Sequence, residues 1–173
     1  STARYLGLES EEKYKGKGVS ACATCDGFFY KDQDVIVVGG GNVAVEEAIY
    51  LSNIAKNVTL IHRRDELRAE KMLQEKLFEK TGENGNINIL WDHVLDEVLG
   101  DESGVNGIVC SNVNEPSDQT QLDVQGVFIA IGHDPNTSFF GDGLKLDDSN
   151  YIILDESNAR FSTQTSIEGV FAA

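Results

Sequence analysis

The sequence is poor in cysteine, in positive charge and in long apolar runs, and each shortage excludes a class of protein. Three cysteines in 173 residues are too few for a disulfide-stabilised scaffold. No apolar run reaches the roughly 18 residues that a membrane-spanning helix needs. Lysine and arginine number 14 against 29 aspartates and glutamates, a formal net charge of -15. This imbalance argues against nucleic acids and membrane surfaces as partners, and we expect a cytoplasmic protein.

The length and composition are those of a globular chain with one core, or one domain with an appendage. Residues 1–17 are predicted to be a polar connector. Residues 134–173 are predicted to be a separate tract, with a strand over 151–154. Because the sequence begins at Ser1 without Met and stops on an apolar run, we expect it to be a piece of a longer protein.

The stretch 35–48 predicts a buried strand, a glycine turn and the start of a helix. Its first four residues are β-branched, which suits a strand that is covered on both faces. Gly39 permits a tight turn, Gly41 leaves room for a pyrophosphate, and Ala44 allows the helix to pack closely on the strand. The positive end of the helix dipole would then face the phosphates. Since glycine turns end many strands, this motif alone is weak evidence for a nucleotide.

The end of the next predicted strand indicates which nucleotide would bind. An NAD site has an acidic residue there, which accepts hydrogen bonds from the ribose 2′-hydroxyl. This sequence instead has Arg63 and Arg64 after His62, and then Arg68. Arginine suits a 2′-phosphate, which favours NADP(H). The alternative is a solvated helix start whose exposed ion pairs contribute only ~0–1 kcal/mol. A basic cluster in so acidic a chain favours the phosphate.

Cys22 and Cys25 form a C-x-x-C motif at a predicted helix start, where the helix dipole favours the thiolate form. This favours a redox-active dithiol. Two alternatives stay open: half of a zinc site, although no second Cys or His pair is offered, and inert buried cysteines. Asp26 is either a turn carboxylate or a proton donor beside a thiolate. The aromatic run 28–30 is predicted to be core.

Beyond the glycine turn, the periodicity predicts a second helix and several short strands. The helix covers about residues 68–80, with Met72 and Leu77 facing inward. An apolar strand over 126–133 is predicted to end beside the glycine turn. A meander that covers one face of a parallel sheet is predicted from the segments 87–91, 94–99, 107–113 and 121–124.

Four motifs together resemble those of bacterial thioredoxin reductases of the low-molecular-weight type. They are C-A-T-C-D from Cys22, G-G-G-N from Gly39, H-R-R from His62 with Arg68, and A-I-G-H from Ala130. They occur in the family's order and at matching spacings over nearly the whole chain. The resemblance implies an α/β fold: a three-layer, Rossmann-like FAD/NAD(P)-binding domain with a parallel sheet and a small antiparallel meander.

The resemblance also implies a domain organisation. Residues 1–133 would be an NADPH-binding domain that carries the C-x-x-C motif, and 134–173 a truncated returning segment of an FAD-binding domain. That segment matches the family at 163–165 and 169–173, although Glu168 stands where Pro is usual. The family's first FAD segment is absent. We therefore expect the isolated chain to hold NADP(H), to have little means of holding FAD, and to be inactive alone; the full-length protein is expected to be a homodimer.

The reaction that the resemblance implies runs from NADPH to FAD, then to a Cys22–Cys25 disulfide, and then to thioredoxin. Cys25 would face the flavin, Cys22 would attack thioredoxin, and Asp26 would be the acid; no metal is expected. The domain would rotate between two orientations to present each site to the flavin. The alternatives are a reductase that serves a peroxiredoxin or a glutaredoxin-like carrier, and a non-catalytic NADP-binding sensor module.

The resemblance further implies which residues contact the nucleotide. Val43 is included, although the family often has Thr there, whose hydroxyl could contact a phosphate. The implied cofactor-binding residues are Gly39, Gly40, Gly41, Asn42, Val43, Ala44, Glu46, His62, Arg63, Arg64, Arg68, Ile131 and Gly132.

Overall fold

A computed structural model of the chain describes residues 1–83, 85–155 and 163–172. The chain forms two compact units: Ala3–Gly132, and Ser1–Thr2 together with His133–Ala173. The helices are α1 (Glu9–Lys13), α2 (Ala23–Asp26), α3 (Asn42–Leu51) and α4 (Lys71–Phe78), with 3₁₀ segments at Gly27–Tyr30 and Ser138–Gly143. The strands are β1 (Thr2–Ala3), β2 (Val19–Ser20), β3 (Asp34–Val38), β4 (Asn57–Ile61), β5 (Ile87–Leu90), β6 (His93–Asp101), β7 (Gly104–Asn112), β8 (Gln119–Leu122), β9 (Gly126–Ile129) and β10 (His133–Asp134).

The larger unit is built on a five-stranded parallel sheet with the strand order β2-β9-β3-β4-β5. The central strand is β3, whose Val38 pairs with Ile61 of β4 on one side and Ile129 of β9 on the other. Val35 to Val38 are all buried, because both faces of the sheet are covered. Strands β6, β7 and β8 form a separate antiparallel meander.

Alternate residues of β3 face the two covering layers. Val35 and Val37 share one core cluster with Leu77 of α4 and with apolar residues of α3. Ile36 belongs to the other cluster, which includes Ile108 of the meander strand β7. The period of two in a strand therefore divides four consecutive apolar residues between two cores. Helices, parallel sheet and meander form three layers, and the predicted α/β fold is confirmed.

The predicted meander contained one strand too many. β5 pairs in parallel with β4, with Ile87 opposite Val58, and it extends the parallel sheet at its edge. Its half-exposed pattern, with Asn88 facing solvent, gives the same alternation as a meander strand. Periodicity alone could not distinguish the two pairings.

Three further predictions in the larger unit were wrong. The predicted connector 1–17 contains α1 and the buried Glu11, whose carboxylate accepts hydrogen bonds from the backbone N–H groups of Leu6 at 2.9 Å and Gly7 at 2.8 Å. Met72, which was expected to face inward, is 60% exposed, whereas Leu77 of the same helix is fully buried. α4 is also shorter than predicted, because the residues before it form a loop at the candidate site.

The smaller unit contains little regular structure among its described residues. Ile152 forms one isolated antiparallel bridge with Leu146, so the strand predicted over 151–154 is not formed. Gln164 and Phe171 form a second isolated bridge. In the described parts of both units, every helix is too short or too polar to cross a membrane.

Candidate active site

The glycine turn connects β3 to α3 and lies against the end of β9. A Cβ atom at Gly39, where φ is +153°, would lie 2.3 Å from the carbonyl oxygen of Ala130 and 2.7 Å from the Cβ of Ala44. Gly39 and Ala44 therefore allow strand, turn and helix to approach closely. At Gly41, a Cβ would meet no described atom within 4 Å, and no described side chain caps α3 there. Open space and the uncapped end of a helix dipole suit a bound anion.

The loop 62–70, which carries the three arginines, is bonded to this turn. The N–H of Arg68 donates to the carbonyl oxygen of Gly40 at 2.8 Å, and the N–H of Glu70 donates to Oδ1 of Asn42, also at 2.8 Å. Gly40 and Asn42 therefore have a structural role that the sequence did not indicate, since they position the arginine loop.

His62 is buried beneath the same loop. Its Nε2 lies 2.9 Å from the carbonyl oxygen of Glu66, and it must donate because a carbonyl only accepts. Burial lowers the pKa of His62, and the charge of Arg68 acts in the same direction, although the bond to Glu66 opposes them. A Cβ at Gly40 would lie 2.1 Å from Cε1 of the ring. The turn, the ring and the loop are thus packed as one body.

A cleft of about 670 Å³ opens where these segments meet. All but Ala44, Glu46 and Arg64 of the predicted cofactor residues line it. Ala44 is buried beneath the turn, whereas Glu46 and Arg64 are exposed outside the cleft. Lining residues that sequence reasoning missed come from the predicted connector and from the start of the meander: Arg4, Leu6, His93, Val94 and Leu95.

Cys22 and Cys25 form a disulfide, with their Cα atoms 5.3 Å apart. The motif lies at a helix start, as predicted: Cys22 precedes α2, and the N–H of Cys25 approaches Cys22 Sγ at 3.2 Å. Cys25 is exposed and Cys22 is half-buried, so the pair is not an inert part of the core. Zinc binds thiolates, and a disulfide offers none.

Hydrogen bonds connect the disulfide turn to the central sheet and to α3. The hydroxyl of Ser20 in β2 donates to Oδ2 of Asp26 at 2.6 Å and accepts from the N–H of Cys22 at 3.1 Å. The N–H of Ala23 donates to Oε1 of Glu47 at 3.1 Å. Sequence reasoning singled out neither Ser20 nor Glu47 as a site residue, because a Ser in a strand and a Glu on a helix carry no distinguishing local signal.

The aromatic segment 28–30, which follows the disulfide, was predicted to be core. It is largely exposed. Phe28 is 73% exposed and Phe29 is 74% exposed. Tyr30 alone turns inward, where its ring packs edge-on against Phe128 with the centroids 5.4 Å apart. The tight 3₁₀ turn over these residues explains the difference, because it cannot direct three successive side chains to one face. An apolar surface therefore lies next to the disulfide in the chain.

A cleft suited to a nucleotide and an accessible disulfide thus occur together in one compact unit. The family model described as "Pyridine nucleotide-disulphide oxidoreductase" matches residues 1–173, and the chain belongs to this family. It is 57% identical over 173 residues to a thioredoxin reductase of Coxiella burnetii, which covers 100% of the chain and 53% of the relative. The predicted resemblance is thereby confirmed.

Two further comparisons show how much of each relative the chain covers and that the relatives carry different names. The crystal structure of Lactococcus lactis thioredoxin reductase matches with a TM-score of 0.83 and 38% identity, over 98% of this chain and 53% of that one. A protein of Pseudomonas fluorescens named glucosaminate ammonia-lyase is 56% identical over 173 residues, 100% of the chain and 53% of its own length. The chain thus spans about half the length of the curated relatives it matches.

Proposed function

We propose that this chain is the nucleotide-binding and dithiol part of a thioredoxin reductase, in which electrons pass from NADPH through FAD to the Cys22–Cys25 disulfide and on to thioredoxin. The observation that carries the proposal is the combination, in one compact unit, of an accessible disulfide and a cleft lined by Arg63 and Arg68. An ammonia-lyase activity, which the name of one relative suggests, would leave the disulfide without a role. A non-catalytic sensor module would also leave it without one.

The cleft offers NADP(H) open space and positive charge. The open space at Gly41 and the end of α3 would take the pyrophosphate. Guanidinium groups of Arg63 and Arg68, on the loop that Gly40 and Asn42 hold, would take the 2′-phosphate. We accordingly assign NADPH binding to residues 1–133 and part of an FAD-binding domain to residues 134–173.

When bound to the whole protein, FAD would supply hydride acceptance and two-electron transfer to the disulfide. The residues of this chain carry out the disulfide exchange and the proton transfer. Cys25 faces the electron donor, and Cys22 attacks the disulfide of the substrate through a mixed disulfide. Asp26 supplies the proton that converts one departing thiolate to a thiol. Its bond to Ser20 holds the carboxyl beside the turn that carries both cysteines.

The partner that we propose is thioredoxin, with a peroxiredoxin or a glutaredoxin-like carrier as alternatives. Exposed Phe28 and Phe29 follow the disulfide directly in the chain and offer an apolar contact for such a protein. The net charge of -15 disfavours nucleic acid and membrane partners. We further propose that the whole protein is a cytoplasmic homodimer.

The experiment that tests this function is NADPH-driven reduction of thioredoxin by the whole protein with FAD bound. Cys22→Ser should abolish it, because no mixed disulfide can form. Cys110→Ala is the matched control, since Cys110 is buried in the meander away from the disulfide. Full turnover by Cys22→Ser, or equal loss in the control, would refute the assignment.

A further inference from the structure

Asp26 is tied to the disulfide turn by the side chain of Ser20. The hydroxyl donates to Asp26 Oδ2 at 2.6 Å and accepts from the N–H of Cys22 at 3.1 Å. A backbone N–H can only donate, so the one hydroxyl hydrogen is committed to the carboxylate. The hydroxyl therefore fixes the acid relative to the backbone of the first cysteine.

Ser20 is itself held in the sheet and not in a mobile loop. It belongs to β2, where it pairs with Phe128 of β9, a fully buried residue. Ser20 is only 8% exposed. A hydroxyl in this position keeps its orientation, because pairing with β9 restricts the backbone, and burial with two hydrogen bonds restricts the side chain.

Asp26 and Ser20 also line a second cleft of about 510 Å³, through which water can reach the acid. Titratable groups near the pair are Lys17 and Tyr30, which line this cleft, and Glu47, which accepts from the same turn. Burial and the charge of Asp26 raise the pKa of Tyr30. Asp26 is the carboxyl of this cleft that Ser20 joins to the N–H of Cys22.

We propose that Ser20 is a positioning residue for proton transfer at the disulfide, acting by holding Asp26. This inference rests on the proposed function. Two electrons from a dithiol or a reduced flavin break the S–S bond of Cys22 and Cys25. With one proton from Asp26 the products are one thiol and one thiolate, and Asp26 regains its proton from water. A carboxyl that is already oriented loses less freedom on reaching the transition state than one that rotates freely.

The test uses dithiothreitol as the electron donor, so that it needs neither NADPH, flavin nor thioredoxin. The rate of disulfide reduction, per dithiothreitol thiolate, is measured between about pH 5 and 9 by trapping the new thiols. Ser20→Ala should lower this rate about tenfold, because the carboxyl of Asp26 is no longer held beside the disulfide turn. Ser20→Thr keeps a hydroxyl and should retain the wild-type rate.

The variant Asp26→Asn shows whether Ser20→Ala acts through Asp26 or through a general effect on folding. Ser20→Ala should change the rate less than about twofold when it is introduced into Asp26→Asn, because the group that it positions is already lost. An equal loss in both backgrounds, or a tenfold loss in Ser20→Thr as well as in Ser20→Ala, would overturn the positioning role. Failure here would leave the Cys22→Ser test of thioredoxin reduction unaffected, so the two proposals are tested separately.

Discussion

Replacing the three arginines one at a time tests how the cleft would distinguish NADPH from NADH. Arg63 and Arg68 line the cleft, whereas Arg64 is exposed outside it. A charge-assisted hydrogen bond to phosphate contributes about 1.5–3 kcal/mol, and about 1.4 kcal/mol is a tenfold change in affinity. Arg63→Ala and Arg68→Ala should therefore each raise the Kd for NADPH by roughly 10- to 100-fold. Arg64→Ala should raise it less than about fivefold, because an exposed charge outside the cleft is largely screened.

Isothermal titration calorimetry with NADPH and NADH provides the measurement. The Kd for NADH should remain nearly constant in all three variants, since NADH lacks the 2′-phosphate. Higher salt should reduce the difference between the wild-type protein and Arg68→Ala, because screening weakens the lost interaction. Equal losses for both coenzymes would show that the arginines stabilise the loop and not the phosphate. A loss in Arg64→Ala as large as in Arg68→Ala would contradict the geometry of the cleft.

Three further predictions concern the fold that holds this cleft. Leu77→Ala should lower the free energy of unfolding by about 2–5 kcal/mol and Met72→Ala by less than about 0.5 kcal/mol, as chemical denaturation would reveal. Burial lowers the pKa of His62 from its ordinary value of 6.5, so below about pH 6.5 the unfolded state binds more protons than the folded state. The free energy of unfolding, measured by chemical denaturation, should therefore fall as the pH decreases below about 6.5. It should fall less in His62→Gln. Gly40→Ala would force its Cβ into the ring of His62, and should weaken NADPH binding while the disulfide remains reducible by dithiothreitol.

The sequence predicted the layers of the fold better than it predicted which strands pair. Four β-branched residues before Gly39 identified the central strand, because only a strand covered on both faces needs such a run. β5 was misassigned because an edge strand has the same alternation as a meander strand. Met72 was misassigned because it lies five residues before Leu77, which places it about 140° around α4 from the buried side chain. In both cases the pattern of apolar residues fits two structures, and packing against the rest of the fold determines which one forms.

For the candidate site, the sequence identified residues whose chemistry is visible in their type and spacing. Cys22 and Cys25 are an example, and the disulfide between them is present. It could not identify partners that are brought together across the chain, such as Arg4 and His93 in the cleft. Nor could it assign Ser20, whose importance depends on a bond to Asp26 that only the fold creates.

The ten-residue helix α3 contacts both the cleft and the turn that carries the disulfide. Its first residue, Asn42, borders the nucleotide cleft, and Glu47 on its second turn accepts from the turn that carries the cysteines. Gly27 packs on the same helix so tightly that a methyl group there would come within 2.9 Å of Leu51. The cleft and the disulfide turn are thus both fixed to one helix. Under the proposed function, a flavin that serves both would be reached by rotation of the whole unit and not by a local shift.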